Sequence, residues 1–263
     1  MSEQICYDGR LLLIYLAIKY QGDYDQIMFA VENRIYDVTY DEAEKAYESL
    51  PCKVLTILDY EYPEKLKYIW HPPLVLFYYG DLSLLYKRCI ATVGSRNYSE
   101  YGKECTEKIL SQIHRGNVIV SGLARGIDAI AHECTIKNGG RTIAVLGCGI
   151  DICYPVENQE LYEEIKKNHL LISEYPYDTT PDREHFPQRN RIVVGLADAI
   201  FVPQINTYQS GTMISLNYGN NIGKPILVAP FPPGSDTINN QLISEGAILA
   251  DNGPQIMDEL GWK

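Results

Sequence analysis

The segment PDREHFPQRNRIVVGLADAIFVPQ, residues 181–204, places three arginines, Arg183, Arg189 and Arg191, within nine positions and directly ahead of an apolar run. A guanidinium is a planar fork that grips a phosphate through two parallel hydrogen bonds and stacks on a base. Phe186 in the same segment offers a ring of the kind that holds bases in sequence-tolerant single-strand sites. Two more arginines stand on glycine-bearing turns, Arg96 in VGSR (93–96) and Arg125 in SGLARGID (121–128). LGCGIDICYP (146–155) and QSGTM (209–213) are further turns of this type. Glycine lets a backbone come close to a ligand, and the free amides of a helix N-terminus attract phosphate. Residue types and spacing therefore point to the chemistry of anion binding.

Those turns need a scaffold that brings them to one edge. From Cys89 onward short apolar runs alternate with helical stretches: CIATVGS, NVIVSG, RTIAVLG, LLISEY, DAIFVPQ and KPILVAP read as strands, separated by helices. Continuous apolar strands of this kind belong to a parallel sheet covered on both faces, which binds ligands at the carboxyl ends of its strands. The expected fold class is α/β, with a Rossmann-like parallel sheet domain over 87–263. RNRIVVGLA is expected as a short helix behind an arginine-bearing loop, and NNQLISEGAIL as the last helix. Ahead of the sheet, residues 1–55 read as a small helical domain. RLLLIYLAIKY is apolar on every face and so is a buried helix, and Thr39 or Asp41 can cap the later YDEAEKAYESL. Residues 56–86, with Pro63, Pro72 and Pro73 and the apolar, strand-like run Leu74–Tyr79, read as a connector leading into the sheet domain.

The composition excludes several classes. With 263 residues, 46% hydrophobic and 22% charged, the chain is of ordinary globular type. Seven scattered cysteines without a CxxC pair suit reduced thiols in the cytoplasm rather than disulfides or zinc. LLLIYLAI is too short to span a bilayer and no signal peptide is expected. The formal net charge is −11, but residues 1–86 hold 7 Lys and Arg against 14 Asp and Glu, so most of the acidity lies outside the sheet. Phosphate affinity follows local potential more than net charge. GLARGID is not GxGxxG, GCGIDI lacks a third glycine, and GxxxxGK[ST] is absent, which argues against a nicotinamide or ATP cofactor.

No catalytic or metal site is assigned. Asp128 and His132, four apart on one helix, are two ligands without a third, and are expected to order the helix entrance and to pack. Glu174 reads as a loop-anchoring carboxylate, and Asp151, Tyr154 and Pro155 as a turn that shapes the sheet edge. Arg125 is either a structural partner of a nearby acid or part of the basic surface.

The segments VGSRNYSEYG, SGLARGIDAIAHECTI, TIAVLGCGIDICYPVENQEL, LISEYP, FPQRNRIVVGLADAIFV and SGTMISLNYG, in that order, resemble the DNA-processing protein A family (DprA/Smf) over about residues 55–250. The resemblance implies an extended Rossmann-type domain behind a small sterile-alpha-motif-like helical domain. It implies binding of single-stranded DNA, loading of the RecA recombinase onto incoming DNA in natural transformation and DNA recombination, and a homodimer. On it, FPQRNR matches the arginine-bearing loop at the DNA pocket. The expected DNA-binding set has Arg96, Arg189 and Arg191 on phosphates, amides of Gly94, Ser95, Gly122 and Gly211 as neutral donors, and Phe186 as a stacking ring. Asn190 and Ser210 complete it, with Lys224 as a further cation. VPQIN stands where many members have V-E-A, and no counterpart of the winged-helix domain of some members lies within the 263 residues. The rival reading is a nucleotide-binding or phosphoribohydrolase-like enzyme of related fold. QSGTMISLN keeps a Ser-Gly-Thr turn but lacks the glutamate of the motif PGGxGTxxE, which weighs against hydrolysis.

Overall fold

A computed structural model describes residues 6, 8–113 and 115–262. Three helices come first, α1 (Gly9–Lys19), α2 (Tyr24–Glu32) and α3 (Tyr40–Glu48). Each starts on a side-chain cap: Asp8, Asp23, and Thr39 in a reciprocal capping box with Glu42. Next are β1 (Lys53–Thr56), α4 (Glu64–Lys67) and β2 (Val75–Gly80). The alternation then runs β3 (Cys89–Thr92), α5 (Glu100–Ser111), β4 (Val118–Ser121), α6 (Ile127–Lys137), β5 (Arg141–Leu146), α7 (Gln159–Asn168) and β6 (Leu170–Ser173). It continues as α8 (His185–Leu196), β7 (Ala199–Val202), α9 (Gly211–Asn221), β8 (Ile226–Val228), α10 (Asn239–Ser244), β9 (Ile248–Leu249) and α11 (Gly253–Glu259).

The strands form one sheet in the order β1-β2-β6-β5-β4-β3-β7-β8-β9. The run from β6 to β9 is parallel, as the uninterrupted apolar strands require; β1 and β2 add an antiparallel margin, with Phe77 opposite Ser173. The strand-like run Leu74–Tyr79, within the connector 56–86 of the sequence reading, is thus strand β2 of the sheet. The helices at the front do not stand apart. Leu12, Ile14 and Leu16 of α1 share one buried cluster with Val54, Phe77, Ala144 and Leu171 of the sheet. Burying each such side chain contributes about 1.5–3 kcal/mol, which fastens α1 to the sheet face. The opposite face buries Ile192, Val193, Val194 and Leu196 of α8 against Val120, Ile143 and Val145.

Some elements differ from the sequence reading, among them α11, which follows the segment expected as the last helix. FPQRNR is the first half of the twelve-residue helix α8 rather than a loop. Pro187 sits in the first turn, where no intrahelical N–H is required, so it does not break the helix. At the other end, NNQLIS is helical but GAIL is not. Gly246 at φ +114° turns the chain, and Ile248 and Leu249 pair with β8.

The chain enters the parallel sheet at β3. It moves one way through β4, β5 and β6, then returns through α8 to β7 on the other side of β3. The carboxyl ends of β3 and β7 therefore diverge into opposite crossovers, which opens a crevice at that point of a doubly wound sheet.

Candidate nucleic-acid interface

A cleft of about 680 Å³ occupies this crevice. Its floor is made of turns that fix one another. Ser95 N–H donates to the Gln204 carbonyl (2.9 Å), Ile127 N–H to the Ser95 carbonyl (3.2 Å), and Asn206 Nδ2 to the Asn97 carbonyl (2.7 Å). The buried Gln204 side chain accepts from both Ser99 N–H (2.9 Å) and Ser99 Oγ (3.0 Å), and so ties the end of β7 to the start of α5. Gly94 passes Ile127 so closely that a Cβ would lie 2.7 Å from that side chain.

The walls come from the starts of α8 and α9. Phe186, Pro187, Arg189 and Asn190 of α8 line one side; Ser210 and the first turn of α9 line the other, and Asn190 Nδ2 donates to the Gly211 carbonyl (3.3 Å). Ser210 caps α9 by accepting from Met213 N–H. The first-turn amides of Gly211 and Thr212 have no helix carbonyl within reach, and the helix dipole adds positive potential there. Phe186 stacks on the half-exposed ring of Tyr154 with centroids 5.4 Å apart. A smaller cavity of about 230 Å³ shares Arg96, Asn97, Tyr154, Phe186 and Arg189 with the cleft and adds Arg125.

The cations divide by burial. Arg96 and Arg183 are exposed at the cleft, and among the described residues neither has an ion-pair partner. Arg189 lines the cleft but is buried. Its Nη1 donates to the Gly122 and Val145 carbonyls and its Nε to Asn190 Oδ1 (3.1 Å). Burial pulls the Arg189 pKa down and pushes the Asp128 pKa up; each group's charge opposes the shift of the other. Arg125 is paired with Glu157, both more than half exposed.

Several expected contacts take another form. Arg191, expected on a phosphate, has no part in the cleft lining and forms a buried ion pair with Glu174. Its Nε donates to the His71 carbonyl (2.8 Å) and its Nη1 to the Gln188 carbonyl (2.9 Å). Helical phase decides this. Once the segment is α8, successive residues point about 100° apart, so Arg189 and Arg191 leave the helix in different directions. Lys224 is half-buried near Asp198, Lys65 and Cys89, at the amino ends of β8, β7 and β3, on the edge opposite the cleft. Two of the expected amide donors are already engaged, Ser95 by Gln204 and Gly122 by Asp128 Oδ2 (3.1 Å). Gly94, Ser95, Arg96, Phe186, Arg189, Asn190, Ser210 and Gly211 do line one cleft, while Gly122 lines the smaller cavity. Arg183 and Tyr154 were absent from the expected set. Arg183 was legible in the opening segment, whereas only the fold stacks Tyr154 on a ring from α8. Glu174 anchors its loop through Arg191. His132 is fully buried with Nδ1 2.6 Å from Thr142 Oγ1, and Asp128 binds the Gly122 amide.

Arginines, a helix N-terminus and a ring pair thus surround a crevice at the switch point of a parallel sheet of extended Rossmann type. Residues 53–261 match the family model described as DNA recombination-mediator protein A, and the chain belongs to that family. It is 37% identical over 228 residues to the DNA processing protein DprA of Streptococcus pneumoniae, covering 86% of this chain and 80% of that one. Identity to the DNA processing protein DprA of Bacillus subtilis is 40% over 220 residues, covering 82% and 73%. The X-ray structure of the Streptococcus pneumoniae protein superposes with a TM-score of 0.81 at 33% identity, over 95% of this chain and 93% of the other. DNA processing protein A from Helicobacter pylori, whose structure addresses its single-stranded DNA binding mode, gives 0.72 at 31% identity, over 80% and 96%. Among the described residues no helix is long and apolar enough to cross a membrane.

Proposed function

We propose that the chain binds single-stranded DNA in the cleft at the carboxyl ends of β3 and β7 and delivers it to the RecA recombinase. The observation that carries this reading is the convergence of Arg96 and Arg183, exposed and without ion-pair partners among the described residues, with the α9 N-terminus and the Phe186–Tyr154 ring pair in one 680 Å³ cleft. The cations and first-turn amides hold phosphates, and the rings stack on bases. Neither element reads base identity, so sequence preference is weak. Arg189 acts mainly by holding the ends of β4 and β5 together beneath the strand. Two copies pair and offer two clefts to one strand, which raises affinity for long strands. A strand so held, with its far end free, is a substrate on which a recombinase filament can nucleate. The free cysteines and the family relationship support a cytoplasmic setting without catalysis of its own.

The test is fluorescence anisotropy with labelled oligothymidylate over a salt series, for wild type and for Arg96→Ala and Arg183→Ala, with thymidine monophosphate as competitor. The expected result is salt-sensitive binding that both variants weaken and the mononucleotide displaces poorly. Failure of the folded wild type to bind at low salt would refute the proposal. For delivery, RecA assembly on the strand is followed with and without the chain, and an unchanged nucleation rate refutes that step.

A further inference from the structure

A second cavity lies further along α8 and α9, and it shares no lining residue with the cleft. Asn190 and Ser215 line the cleft; one position onward on α8 and three onward on α9, Arg191 and Tyr218 line the second cavity of about 320 Å³, together with Ile69, Trp70, Asn221 and Ile222. Helix positions three or four apart are neighbours, with Cβ atoms about 5–6 Å apart. Ser215 and Tyr218 therefore stand on one face of α9, Ser215 at the first cavity and Tyr218 at the second.

Trp70 gives this second cavity its character. Its ring stacks on His71 with centroids 3.6 Å apart, and His71 stacks on Tyr24 at 4.3 Å, both with planes 15° apart. A ring has two faces, so the three form a column with Trp70 at one end. Trp70 is nonetheless 60% exposed, whereas Trp262, the other tryptophan of the chain, is 8% exposed. An indole fixed by stacking, yet left open, loses little conformational freedom when a further ring is added to the column. Arg191 in the wall is already neutralised by Glu174, so the site does not call for a phosphate. Its apolar wall suits a flat ring, and Asn221 at the rim supplies amide donors and an acceptor for the polar edge of that ring.

We infer that this cavity, between the end of α4 and the paired faces of α8 and α9, takes an unpaired nucleobase of the strand whose phosphates lie in the cleft, stacked on Trp70. The inference rests on the reading of the cleft as a single-stranded DNA site. It separates two contributions to affinity. The cleft term depends on salt and acts on any strand. The stacking term is insensitive to salt and acts only on strands long enough to reach from the cleft to the second cavity.

The experiment titrates wild type with a short and a long oligothymidylate, about 4 and about 20 nucleotides, reading both label anisotropy and tryptophan emission. The long strand should quench emission, and quenching should survive in Trp262→Phe and vanish in Trp70→Phe. Trp70→Ala should weaken long-strand binding about tenfold, leave short-strand affinity and the salt slope unchanged, and be largely rescued by Trp70→Phe, which keeps a ring. Circular-dichroism melts check that the variants are folded; wild-type quenching needs no variant. A long strand that binds without quenching, or an unchanged affinity in Trp70→Ala, overturns the inference and leaves the cleft reading standing. Quenching by phenylalaninamide but not by the strand assigns the cavity to a protein side chain and also overturns it. If wild type binds neither strand, the cleft reading fails and the base site falls with it.

Discussion

Arg191 of α8 and Glu174 at the end of β6 form an ion pair whose side chains are 4% and 6% exposed, with Arg191 Nη1 2.9 Å from Glu174 Oε2. Because Arg191 Nε also binds the His71 carbonyl, the pair clamps β6, α8 and the segment leading into β2. Removing one partner strands a buried charge, which costs about 3–5 kcal/mol. Glu174→Ala should therefore lower the urea midpoint strongly. The double variant Arg191→Met with Glu174→Leu, which leaves no charge behind, should recover much of the loss. Short-strand affinity of the folded double variant should match wild type, since the pair lies outside the cleft lining; a loss there would return Arg191 to the phosphate contacts.

Exposed cleft arginines should behave in the opposite way. Arg96→Ala and Arg183→Ala should leave thermal stability nearly unchanged, since neither side chain has an ion-pair partner among the described residues. Each phosphate contact contributes about −0.7 to the slope of log affinity against log salt for single strands, so each variant should flatten the slope by about that amount. Lys224→Ala, on the opposite edge, is the matched control and should leave the slope unaltered. An unchanged slope in Arg96→Ala would remove that residue from the site.

Gly126 couples the cleft floor to α6. Its φ is +81°, and an added Cβ would lie 2.5 Å from the Ser95 carbonyl oxygen and 2.7 Å from that of Arg96. Both obstacles are backbone, so the strain cannot be relieved by turning a side chain. Gly126→Ala should destabilise the fold by about 1–3 kcal/mol and displace the Ser95–Arg96 turn, weakening DNA binding as well. Denaturant melts and the same anisotropy titration read the two effects. Stability loss with intact affinity would show that the turn does not shape the site.

A third group sets the acid response. Burial, together with the nearby His169 and Arg189, moves the His132 pKa from 6.5 down to about 3. The folded state therefore keeps His132 neutral while the unfolded chain takes up a proton below pH 6.5. The unfolded state binds more protons in that window, so stability falls as pH drops from about 6.5 towards 3 and levels off below. Between pH 7 and 5 the loss from this residue is about 2 kcal/mol. His132→Gln should reduce the pH dependence of the urea midpoint over that range, after allowing for its own lower stability at pH 7. An equally steep dependence in the variant would place the acid sensitivity elsewhere.

What the sequence determined by itself was the set of parts. Apolar runs that do not alternate can be buried only in a parallel sheet covered on both faces, and such a sheet gathers its strand-end turns at one edge. VGSR, SGLARGID and QSGTM were therefore readable from the chain alone as turns of one sheet edge. The all-round apolar α1 was likewise readable as a buried helix, since no face of it suits water. What only the tertiary structure decided was which cation faces the ligand. Arg189 and Arg191 are two positions apart and chemically identical, but helical phase sends one to the cleft wall and the other to Glu174, a partner 17 residues away. Lys224 and Gly211 lie at opposite ends of the same helical unit and so at opposite sheet edges. Tyr154 meets Phe186, and Trp70 and Tyr218 line one cavity, because the sheet order brings together segments distant in sequence. Residue type and local period are written in the chain, whereas direction and long-range pairing exist only after the sheet has closed on its helices.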